Sequence, residues 1–99
     1  MEAGKAKYEA VKQYSDPHEV FRRGKLMGVD VYLSGRKDKK YCIQDPATGK
    51  LVNFGQMKYE DATKHNDPKR IANFHKRNAK WKNAPKYSPA WCSWFLLWN

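Results

Sequence analysis

The sequence predicts an α+β domain: a small three-stranded antiparallel meander packed by an N-terminal helix, a basic amphipathic helix and a short aromatic C-terminal helix. Three observations predict it. Apolar residues recur at helical spacing before Gly28 and again after Asp67. Between Val29 and Phe54 the period falls to two. Two turn sequences, Gly35-Arg36-Lys37-Asp38 and Asp45-Pro46-Ala47-Thr48-Gly49, cut that central region into three strand-length pieces.

Each element has its own signal. Tyr8, Val11 and Tyr14 stand at helical spacing among lysines over residues 3–14. Ser15-Asp16-Pro17 reads as a second helix start, with an oxygen-bearing cap, a proline in the first turn and Glu19 near the positive end of the dipole. That helix is expected from Pro17 to Leu26, burying Val20 and Phe21 and stopping at Gly28. Val29, Val31 and Leu33 alternate with Asp30, Tyr32 and Ser34 as a first strand; Lys40 to Gln44 and Leu51 to Phe54 are the second and third, the last closed by Gly55. Asp67-Pro68 opens the basic helix. Its apolar side holds Ile71, Phe74 and Trp81, and Lys69, Arg70, Lys76, Arg77 and Lys80 cover the remainder. The helix should lie across the sheet with those three apolar residues inward. Asn83-Ala84-Pro85 ends it, and Ser88-Pro89 caps AWCSWFLLWN, which is too apolar to lie free in water and should dock into the core. Residues 1–28 form an N-terminal helical segment and residues 29–99 the α+β unit, together one compact domain.

Charge is unevenly spread. Up to Asp61 there are twelve basic and nine acidic residues; beyond it stand eight basic residues and a single acid, Asp67. Such a segment attracts polyanions, either nucleic acid or an acidic surface. Arg36, Lys37, Lys39 and Lys40 crowd a tight turn with little to pack on, which makes them candidate phosphate contacts together with Lys69, Arg70, Lys76, Arg77 and Lys80. Trp81, between Lys80 and Lys82, is a candidate for stacking on bases. Arg70 and Arg77 are seven residues apart and so share a flank of their helix. Cys42 and Cys92, far apart and outside any CxxC motif, read as two reduced thiols rather than zinc ligands. The N-terminus has no apolar stretch of signal-peptide type, and the apolar C-terminal run is far shorter than the ~20 residues of a membrane span.

Asp61, Thr63, His65 and Asp67 occupy alternate positions ahead of the basic helix. One reading is chemical: His65 as general base and Arg70 as charge stabiliser in phosphodiester cleavage. Alternation aligns these side chains only in an extended segment, Asp67 turns to its own helix, and two-metal sites need more carboxylates than this region has. The other reading is a structural clasp. Asp67 caps the helix, Thr63 and His65 bond neighbouring backbone, and Asp61 pairs with Arg70 or Arg77. On this reading no catalytic residue, metal or cofactor is expected, and His18 and His75 are surface residues.

YLSGRKDKKYCIQDPATGKLVNFGQMKYEDATKHNDPKR, followed by HKRNAKW and SPAWCSWFLLWN, resembles a family of small basic proteins of unknown function encoded by large nucleocytoplasmic DNA viruses, related algal viruses and some tailed phages. The resemblance spans about residues 29–99. It rests on Lys39-Lys40-Tyr41, Phe54-Gly55, the Asp61 to Asp67 series, Arg70, Arg77 and the LLWN terminus; Ala62 departs from the aromatic residue expected there. It implies a viral origin, hence a place in the host cytoplasm or nucleus or in the virion, and no particular activity. The expected function is non-enzymatic nucleic-acid binding, to DNA or RNA, through phosphate contacts of low sequence specificity. Two alternatives stand beside it: a virion or assembly component contacting an acidic viral protein, and a small metal-dependent nuclease using His65.

Overall fold

A computed structural model describes residues 2–98, with side chains for residues 5–98. The chain runs α1 (Glu2–Lys12), α2 (Pro17–Leu26), β1 (Tyr32–Leu33), β2 (Lys39–Gln44), β3 (Leu51–Gln56), α3 (Ala62–His65), α4 (Pro68–Arg77), a 3-10 turn (Ala79–Asn83) and α5 (Pro89–Cys92), which widens into a π-helical turn (Ser93–Leu97). The strands form one antiparallel sheet in the order β1-β2-β3.

Three helices begin with the same local chemistry. The side chains of Asp16, Asp67 and Ser88 accept backbone N–H bonds from Glu19, from Lys69 and Arg70, and from Trp91, and each cap is followed by proline. These oxygens satisfy first-turn donors that have no partner within the helix. Proline at that position loses no hydrogen bond.

β1 is shorter than the alternation from Val29 implies. The Val29 N–H bonds to the Gly24 carbonyl at 2.9 Å, so this stretch is pinned to α2 and strand pairing starts only at Tyr32. Gly24 permits the approach: a Cβ there would lie 2.5 Å from Val31 Cγ2. β2 is the central strand, and its Lys40, Tyr41, Cys42 and Ile43 are all buried. Opposite it, Phe54 pairs with Tyr41 and Val52 with Ile43. The Tyr41 ring stacks on Phe54 at 5.7 Å and meets the Phe21 ring edge-on at 6.1 Å. Val11 of α1, Val20 of α2 and Trp91, Cys92, Leu96 and Leu97 of the C-terminal segment complete this core. Both cysteines are buried and free, and burial pushes the Cys92 thiol up to about 12.

The course of residues 61–67 and the placement of α4 differ from an extended row and from a helix laid on the sheet. Residues Asp61 to Asp67 do not form an extended row: Ala62–His65 is one helical turn, and Asn66, at φ 51°, makes the left-handed bend into α4. Nor does α4 lie across the sheet. Its Phe74 ring stacks face to face on Trp98, with centroids 4.3 Å apart and planes 4° from parallel, and meets Trp81 edge-on at 5.7 Å. The basic helix therefore docks on the aromatic C-terminal segment. A cleft of ≈ 660 Å³ separates its Phe74 from Phe54 and Gly55 of β3.

Candidate nucleic-acid interface

A buried ion pair ties β2 to the start of α3, ahead of the basic helix. Lys40 is 1% exposed, and its Nζ donates to Asp61 Oδ2 at 3.1 Å, to the Tyr14 carbonyl at 3.1 Å and to the Tyr59 carbonyl. All three ammonium protons are used. Burial lowers the Lys40 pKa from its ordinary value, and the Asp61 carboxylate opposes that shift. The other oxygen of Asp61 caps α3, accepting from the Thr63 N–H at 3.0 Å and from the Thr63 hydroxyl. Thr63 Oγ1 also accepts the Asp16 N–H at 2.9 Å and lies 3.1 Å from Ser15 Oγ, to which Tyr41 donates at 2.7 Å. This network joins the α1–α2 junction, the central strand and α3. Lys40 is thus withdrawn from the set of candidate phosphate contacts, because its charge is enclosed and fully bonded. Asp61 pairs with Lys40, and not with Arg70 or Arg77.

His65 occupies the hinge between α3 and α4. Its Nδ1 accepts the Asp67 N–H at 3.0 Å, which places the ring proton on Nε2. Nε2 is buried without a partner, and the ring lies 5.1 Å from Trp98. Burial, then the Arg70 charge, lowers the His65 pKa below its ordinary 6.5. The folded state therefore favours neutral imidazole, and the unfolded chain binds the extra proton. This contribution is intact above about pH 6.5 and is lost as pH falls below it. His65→Asn, which keeps an acceptor near the Nδ1 position, should flatten the fall in melting temperature between about pH 7.5 and 5. Identical pH profiles for the two proteins would show that His65 is not the group responsible.

His75 is no free surface residue. It is half-buried, with Nε2 2.6 Å from the Trp98 carbonyl oxygen and its ring stacked on Trp94 at 4.3 Å. His75, Phe74 and His65 thus fix the position of Trp98. Beside Trp98 opens a depression of ≈ 380 Å³ lined by Arg70, Asn73, Lys76 and Arg77. The structure brings these three cations together because positions 70, 73 and 77 lie on one helical face, with Lys76 beside them. Glu60 contacts the edge of the group, 3.6 Å from Arg70 Nη1. Both side chains are about half exposed, so this pair is weak and open to exchange.

The remaining candidates are dispersed. Lys69 and Lys80 are exposed, at the start of α4 and on the 3-10 turn. Arg36 and Lys37 are exposed in the β1–β2 turn, where Arg36 Nη2 lies 3.3 Å from Asp38. Lys7 of α1 braces that turn, donating to the Arg36 and Lys39 carbonyls at 2.6 Å each. Lys39 and Trp81 line the larger cleft instead. Sequence reasoning missed three residues at the interface. Asn73 was accessible through its spacing from Arg70; Glu60 and Trp98 reach the site only through the tertiary fold. Among the described residues, no three His, Cys, Asp or Glu side chains converge as metal ligands, and no helix is long and apolar enough to cross a membrane.

Neither a curated protein nor a solved structure matches the chain. A family model matches residues 29–78, from just before β1 to the residue that follows α4. It takes in the Lys40–Asp61 pair, the hinge at His65 and the Arg70–Arg77 face, and leaves α1, α2 and the aromatic C-terminal segment outside. With half of its length on that match, the chain belongs to a family of unknown function, DUF5754.

Proposed function

We propose that the protein is a small, non-enzymatic, virus-encoded protein that binds nucleic acid through phosphate contacts, with little sequence specificity, inside the host cell or in the virion. The observation that carries this reading is the meeting of Arg70, Lys76 and Arg77 in one depression. The only acid after Asp61 is Asp67, and its carboxylate is occupied at the α4 cap. Guanidinium groups match phosphate oxygens in a bidentate geometry, and cations two turns apart on one flank suit successive phosphates. Lys69 and Lys80 extend the positive surface at either end of α4, and Arg36 and Lys37 offer a second, exposed contact. The cleavage alternative gains no support from His65, whose Nδ1 is bonded to the backbone and whose Nε2 is buried.

Fluorescence anisotropy with a labelled oligonucleotide at two or more salt concentrations tests the proposal. Affinity should fall steeply with salt as counterions cease to be released. Arg70→Gln combined with Arg77→Gln should weaken binding at low salt and reduce the salt slope by roughly two, one for each phosphate no longer neutralised. The melting temperature should barely change, since both side chains are exposed. Absence of binding to any DNA or RNA at low salt sinks the proposal. Unchanged affinity in the folded double variant would move the site away from α4.

A further inference from the structure

We infer that the cleft beside α4 accepts an unpaired nucleobase, so that the protein holds single strands in preference to duplex; this rests on the phosphate reading above. The cleft, at ≈ 660 Å³, falls within the size range of small-molecule sites. Its lining includes the aromatic Phe74, Trp81 and Trp98 and, from β3, the polar Asn53 and Gln56. The contact between Trp81 and Phe74 is T-shaped, which leaves at least one face of the indole free of Phe74. Base–aromatic stacking is tolerant of sequence because every base has a π-face.

Charge does not oppose this occupant, since the two lysines and two acids that line the cleft balance. Of the two acids, Asp61 is enclosed with Lys40, and Glu60 stands at the edge nearest Arg70. Lys39 on the β2 side adds a positive charge to the lining. Trp98 lines both this cleft and the depression of Arg70, Lys76 and Arg77. The two spaces therefore adjoin at Trp98. A strand whose phosphates sit on the arginines has its next base beside the cleft. A base in a duplex is paired and stacked, and would have to leave the helix before it could enter.

The test is anisotropy with labelled oligothymidylate and with a duplex carrying the same number of phosphates, at one salt concentration. The wild-type protein should bind the single strand more tightly. Trp81→Ala should cost about tenfold on the single strand with little change on duplex, and Trp81→Phe should restore most of that loss. Thermal melts accompany each variant. If Trp81→Ala fails to fold, Gln56→Glu decides the matter: it places a carboxylate on the exposed end of β3 and should lower the single-strand to duplex affinity ratio. Equal affinity for the two ligands, with no change in their ratio in these variants, overturns the inference and leaves the phosphate reading standing. Failure to bind either ligand at low salt removes that reading, and the inference with it.

Discussion

Asp61→Ala is expected to destabilise the protein by about 3–5 kcal/mol, the usual cost of leaving one member of a buried ion pair without its partner. The reason lies in what remains. The Lys40 ammonium would stay enclosed with two carbonyl acceptors and no counter-charge, and α3 would lose its cap. Small domains have a total stability of about 5–15 kcal/mol, so this variant should melt far below the wild type or fail to fold. Lys40→Met should be similarly damaging, since it strands the carboxylate. The double variant Lys40→Met with Asp61→Ala should lose much less than the sum of the two single changes, because no charge is then left buried. Urea denaturation of the four proteins measures the coupling. Additive losses, or single losses below about 1 kcal/mol, would mean that water reaches the pair and that it does not lock β2 to α3.

Phe74→Ala should have the next largest effect, about 3 kcal/mol or more, and most of it should fall on one helix. Phe74 is the buried residue of α4, and its ring is the shared surface for Trp81, Trp94 and Trp98. Truncation removes the face-to-face stacking with Trp98 and opens a cavity that the surrounding rings cannot readily close. The backbone amides of α4 should then exchange with solvent much faster than those of β2, and nucleic-acid affinity should fall although no charge has changed. Native-state hydrogen exchange separates this from general destabilisation. Equal loss of protection in α4 and β2 would show that α4 is an integral part of the core and not a docked element.

The two predictions concern features of different legibility. The α4 cap, the helical spacing of Ile71 and Phe74 and the common flank of Arg70 and Arg77 follow from spacing alone, whereas Trp81, read as part of the same helix, lies beyond its end at Arg77 on the 3-10 turn. Spacing does not name the partner of the apolar face. Phe74 could meet the sheet or the aromatic tail, and only the fold places Trp98 against it. Lys40 is the least legible residue. In the sequence it stands in a run of cations like its exposed neighbours Arg36 and Lys37. Two of its three acceptors are backbone carbonyls of Tyr14 and Tyr59, which leave no mark in a sequence. The single turn α3 is hidden for a related reason. A four-residue helix has no periodicity, and the Asp61 that caps it reads in the sequence as a salt-bridge partner. The strands, by contrast, follow from alternation and two turn sequences; β1 is shorter than read because Gly24 captures the Val29 amide, and β3 runs past Phe54 through Gly55 to Gln56, which pairs with Lys39.

The placement of Leu96 and Leu97 in the core bears on how the chain folds during synthesis. The pocket they fill is built from Val11, Val20, Tyr41 and Phe54, and the Arg23 side chain bonds the Leu96 carbonyl across 73 residues of sequence. Closing contacts so distant in sequence is slow, since the loop entropy is spent before the packing is gained. A nascent chain that has released α1, α2 and the three strands still presents an uncovered apolar wall until the tryptophan-rich segment emerges. The ribosome delivers the two parts in sequence at about 5–20 residues per second. During that interval the half-made protein is a substrate for chaperones and for aggregation, and final closure waits until residues 91 to 97 are available.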